Sequence, residues 1–146
     1  MAHYSAAVTV LLLTTPALAS DFRVPATVLS VYDGDTFWVE AEIWPGLTWQ
    51  GSVRVRGVDT PEIRGKCVGG KVATIAARDF VRSTVGETVT LADIEEGKYA
   101  GRVVATVLLP DGRDLAGALI AAGHGRAYDG GRRGPWCREI QTKSVK

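Results

Sequence analysis

Histidine and cysteine are scarce in this chain, which carries two of each in 146 residues. Cys67 and Cys137 have no Cys or His neighbours at metal-ligand spacing, and beyond residue 19 only His124 remains, so a zinc centre is disfavoured. An excess of one charge is also missing. Seventeen Lys and Arg against sixteen Asp and Glu leave a formal net charge of +1. That gives no global attraction to a polyanion, so any nucleic-acid contact must come from local clustering. Internal repeats and low-complexity tracts are absent, which excludes solenoids and arrays. The apolar run Ala6 to Leu13 falls short of the roughly 20 residues that span a bilayer.

At 15.6 kDa, with 46% hydrophobic and 23% charged residues, the chain has room for one compact domain with a real core. The apolar run, followed by Thr14-Thr15-Pro16 and Ala17-Leu18-Ala19, reads as a signal peptide cleaved after Ala19, although no Lys or Arg precedes it. Residues 20–146 are then a single exported domain, periplasmic or extracellular, with no membrane anchor after cleavage. Nothing suggests a long exposed apolar seam, so a monomer is expected. An even pair of cysteines in an oxidising compartment predicts a Cys67–Cys137 bond, with two free buried thiols as the alternative. Such a bridge contributes about 4 kcal/mol in the chain-entropy model.

Thr27 to Tyr32, Thr36 to Ile43 and Ser52 to Val58 are rich in Val, Ile, Thr and aromatics and predict strands, with Asp33-Gly34-Asp35 as the first turn. Strict alternation in Val53-Arg54-Val55-Arg56 gives that strand one core face and one polar face. After Gly69-Gly70 the period becomes helical through Val72, Ile75, Ala76, Phe80 and Val81, and Gly86 closes the segment. Strands over Thr88 to Ile94 and Arg102 to Leu109 follow, then a turn at Pro110 to Arg113. A second helix is expected from the N-cap Asp114, with Leu115, Leu119 and Ile120 on one stripe, stopping at Gly123. The order predicts an α+β fold: a five-stranded OB-fold barrel with two to three α-helices, a scaffold that often binds oligonucleotides.

Three segments combine acids or cations with a structural pause: Asp33-Gly34-Asp35-Thr36, Arg54 through Asp59-Thr60-Pro61-Glu62, and Lys98-Tyr99-Ala100-Gly101-Arg102. Asp residues at the ends of two different strands can meet and hold a hard cation through oxygen. Taken singly, each segment is as readily a turn, a loop leading into a helix or a solvated strand residue. From Arg126 onward six cations (Arg126, Arg132, Arg133, Arg138, Lys143, Lys146) face two carboxylates, Asp129 and Glu139. That tail is either a solvated surface or a substrate contact.

Together and in this order, these segments resemble the hallmark runs of the staphylococcal nuclease family, with the similarity covering about Val24 to Tyr128. The resemblance implies a calcium-dependent nuclease acting on DNA or RNA. It assigns Asp35, Asp59 and the Thr60 carbonyl to Ca2+, Arg54 and Arg102 to phosphate, Glu62 to the attacking water, and Asp33 to a place behind the ion. Tyr99 and Tyr128 are candidate substrate contacts, although Ala100 separates Tyr99 from the Gly101-Arg102 pair that tyrosine directly flanks in the family. The family's C-terminal helix looks replaced by a Gly/Arg-rich loop, which a Cys67–Cys137 bridge would tie to the first helix. Two other classes stay open: a non-catalytic OB module that binds nucleic acid, and an exported partner-binding domain whose charged loops are incidental.

Overall fold

The computed structural model describes residues 22–62 and 67–137; the apolar leader at residues 1–19 lies outside them. Strands β1 (Val24–Val31), β2 (Thr36–Trp44) and β3 (Leu47–Val55) form an antiparallel meander. The two-residue β4 (Val58–Asp59) follows, then helix α1 (Val68–Val85), β5 (Thr88–Glu96) and β6 (Arg102–Leu108). Helix α2 (Leu115–Ala121) and the short β7 (Arg126–Ala127) complete the described elements. Strand β5 pairs antiparallel with both β1 and β6, and β6 runs parallel to β3, closing the barrel in the order β1-β2-β3-β6-β5. This is the α+β, OB-type barrel expected, with two helices among the described residues.

Alternation fills the interior. Phe37 and Val39 from β2, Val53 and Val55 from β3, and Ala105 and Val107 from β6 are fully buried, joined by Leu115 and Leu119 from α2. Among the described residues no helix is long and apolar enough to cross a membrane.

Three expectations need correction. Strand β3 begins at Leu47, five residues before Ser52, and is joined to β2 by a tight turn whose Gly46 has φ +78°. Gly51 masks this strand start because glycine disfavours strands by propensity, yet a Cβ there would collide with the Trp49 ring and the Gly101 carbonyl. Helix α1 has a different inward face: Gly70, Thr74, Ala77, Val81 and Val85 are buried, while Val72 and Ile75 are 64% and 48% exposed. Small residues face inward because the Asp33–Asp35 turn lies against the helix, with the position of a Gly34 Cβ only 2.8 Å from Ala77 Cβ. Ile120, expected on the buried stripe of α2, is 39% exposed. The β4–β7 pairing, Val58 with Ala127 and Asp59 with Arg126, was not expected at all.

Candidate active site

Since Val53 and Val55 point into the barrel, Ser52 and Arg54 project from its outer face. The β1–β2 turn and the segment through β4 cover that face, so Arg54 is only 6% exposed. Its Nη1 lies 2.9 Å from Asp35 Oδ2. The same Asp35 oxygen accepts hydrogen bonds from the Thr60 amide and hydroxyl, each at 3.0 Å, while Asp35 Oδ1 accepts from the Thr36 hydroxyl. This places Asp35, Arg54 and Thr60 in one buried cluster.

Asp59 adjoins the cluster at 1% exposure. Its Oδ2 accepts from Arg126 Nε at 3.1 Å, Arg126 Nη2 at 2.9 Å and Trp136 Nε1 at 3.1 Å. Its Oδ1 is buried and has no hydrogen-bond partner among the described residues, facing Arg54 Nη2 at 3.8 Å and Arg133 Nε at 3.5 Å. Arg54 Nη2 is likewise buried and unpartnered among the described residues. Behind Asp35, Asp33 accepts a hydrogen bond from the Asp35 amide at 3.2 Å. Burial, reinforced by the negative charge of Asp35, pushes the Asp33 carboxyl up to about 7.

An orphaned carboxylate oxygen beside a second carboxylate is a donor set suited to a hard cation. The fit is partial. Among the described residues no three His, Cys, Asp or Glu side chains converge to hold an ion. Any ion here would lean on water or substrate oxygens and would compete with guanidinium groups already at these carboxylates.

The cluster borders a cleft of about 810 Å³, lined by Arg54, Glu62, Tyr99, Arg102, Tyr128 and Arg133 among others. Five cations and only two carboxylates line it. Arg102 sits opposite Ser52 in the parallel β3–β6 register, and its Nε approaches Ser52 Oγ at 3.4 Å, two residues along β3 from Arg54 and on the same face. Tyr99 is exposed, with the Arg102 guanidinium 5.6 Å from its ring centre, so it reaches the cleft despite the intervening Ala100. Tyr128 lies under two guanidiniums, those of Arg54 at 5.8 Å and Arg133 at 5.6 Å. Glu62 is exposed and forms an ion pair and hydrogen bond with Arg133 Nη1. Its backbone carbonyl accepts from the Thr74 hydroxyl, which anchors this stretch to α1.

Every residue expected at the site therefore borders either the buried cluster or the cleft. Three residues that contact its acids were not foreseen in that role: Arg126, Arg133 and Trp136. Cys67 and Cys137 are bonded, with Cα atoms 6.0 Å apart, and this bridge brings the Gly/Arg-rich loop back across the acids. The signal was available in the chain, since Cys67 follows Glu62 by five residues and Cys137 directly follows Trp136.

A family model described as staphylococcal nuclease homologue matches residues 52–141. The match opens in β3 and takes in Arg54, the Asp59 to Glu62 run, Arg102 and the whole disulfide-tied loop, with Asp33 and Asp35 preceding it. No curated protein matches the chain.

Proposed function

The chain belongs to the staphylococcal nuclease homologue family, and from that premise we propose that it is an exported, calcium-dependent nuclease that hydrolyses phosphodiester bonds in DNA or RNA. The observation that carries the reading is the meeting of Arg54, Arg102 and Glu62 on one cation-rich cleft beside the Asp35–Asp59 pair. Phosphodiester hydrolysis builds negative charge on phosphoryl oxygens while water attacks in line with the leaving oxygen. Arg54 and Arg102 suit the task of holding those oxygens, because a guanidinium stays charged and binds two oxygens at once. Arg54 is held in place by Asp35, and Arg102 by Ser52 and Tyr99. Glu62, exposed at the cleft, orients the attacking water and accepts its proton once it is free of Arg133. Asp35, Asp59 and the Thr60 carbonyl would hold Ca2+, on which the family's nucleases generally depend, and the ion would add positive charge beside the phosphate. Export agrees with the disulfide, a bond that persists in oxidising compartments.

A second reading, a non-catalytic OB module, draws on one observation: guanidinium groups already engage Asp59 and Glu62. The two readings part on cleavage of a fluorescent single-stranded DNA with calcium or with chelator. We expect cutting only with calcium, reduced on the order of a hundredfold or more in Glu62→Ala and Arg102→Ala variants shown to be folded. By linkage, calcium at about 100 times its dissociation constant should stabilise the fold by about 2.7 kcal/mol, and Asp35→Asn should blunt that gain. Strand binding without cutting under every condition would overturn the nuclease reading.

A further inference from the structure

The loop from Asp129 to Trp136 crosses the candidate site without belonging to the barrel. Its Arg133 faces three groups at once: Glu62, Asp59 and the Tyr128 ring. The Tyr128 ring is shared with Arg54, so two guanidiniums converge on one aromatic ring at the edge of a cleft where cations outnumber carboxylates. The Asp59 carboxylate, which faces both guanidiniums, offsets only part of this positive charge, and a bent polyanion that brings several phosphates to one surface would offset the rest. The arginine does not arrive by barrel packing. Gly130, at φ +96°, allows the turn, the Tyr128 hydroxyl donates to the Gly131 carbonyl at 2.7 Å, and Cys67–Cys137 fixes the far end beside the start of α1.

We propose that Arg133 is a phosphate-binding residue of the same cleft as Arg54 and Arg102, contacting a strand phosphate next to the one being cleaved, and that the Cys67–Cys137 bridge positions it. The proposal rests on the nucleic-acid reading above. It adds a substrate contact carried by the tethered loop. The ion pair with Glu62 is then the resting partner of Arg133, exchanged for phosphate when a strand enters. That exchange also releases the Glu62 carboxylate to water.

The test is binding of a short fluorescent oligothymidylate, followed by anisotropy in chelator across a range of salt, with Arg133→Ala, Arg133→Lys and a Cys67→Ser/Cys137→Ser double variant. Arg133→Ala should weaken binding about tenfold, and the slope of log affinity against log salt should fall by about 0.7, the loss of one single-strand phosphate contact. Arg133→Lys should keep the slope, and the double variant should lose it as Arg133→Ala does. In calcium, Arg133→Ala should raise KM more than it lowers kcat. Unchanged affinity and slope in Arg133→Ala would overturn the proposal. A faster Arg133→Ala enzyme with unaltered binding would overturn it too, by making Arg133 a latch on Glu62. If the unmodified protein binds but never cuts, the nuclease reading fails while the salt slopes still decide the role of Arg133.

Discussion

Gly34 shows how little freedom the first acidic turn has. A Cβ at this position would lie 2.8 Å from Ala77 Cβ and 2.9 Å from both Thr60 Cγ2 and Thr60 Oγ1. The glycine is there for close approach: it lets the turn carrying Asp33 and Asp35 sit between α1 and the segment after β4. Gly34→Ala should therefore destabilise the protein by about 1–3 kcal/mol through overpacking. Urea unfolding should show a lower midpoint with an unchanged slope. The displacement lands on Thr60, whose amide and hydroxyl both hold Asp35 Oδ2, so calcium-dependent cleavage should fall as well. A midpoint identical to that of the unmodified protein would mean that the turn can lift from α1 at no cost.

Helix α2 has only seven residues, too few to be stable alone, and depends on burial of Leu115 and Leu119 and on its cap. Asp114 accepts from the amides of Ala116 and Gly117, each at 3.3 Å. Asp114→Ala should cost about 1 kcal/mol, while Asp114→Asn should be nearly silent. In a thermal melt that is a drop of about 4 °C for the first variant only; equal melting points would show that packing alone sets the helix start. This cap was legible because an Asp before an apolar periodic run has one dominant local use. The inward face of α1 was not, since Val72 and Ile75 look like core residues until the glycine turn packed on Ala77 selects the small face instead. Asp35, Arg54 and Asp59 could be read as a site because each lies at a strand end or on a strand face fixed by local pattern. The contacts of Arg126 and Trp136 with Asp59 and of Arg133 with Glu62 span 67, 77 and 71 residues and follow no periodicity, so only the closed chain reveals them.

The barrel closes through its own ladders, β1 with β5 and β3 with β6, and none of these pairings requires the disulfide. What the bridge constrains is the unfolded chain. It links residues 70 positions apart, and closing so long a loop contributes about 4 kcal/mol in the chain-entropy model. Reduction, or the Cys67→Ser/Cys137→Ser variant, should thus lower Tm by about 15 °C while leaving the far-ultraviolet dichroism at room temperature unchanged. The native effect should be confined to the segment after β7, whose remaining ties are Arg133 and Trp136 to the acids and the Arg126 contact with the Gly134 carbonyl. Hydrogen exchange should accordingly quicken in residues 129–137 and stay slow in β2 and β3. A reduced protein whose Tm and exchange both match the oxidised form would show that Arg126, Arg133 and Trp136 suffice to hold the loop. Faster exchange in the strands as well would make the bridge a determinant of the barrel itself, contrary to the pairing of its ladders.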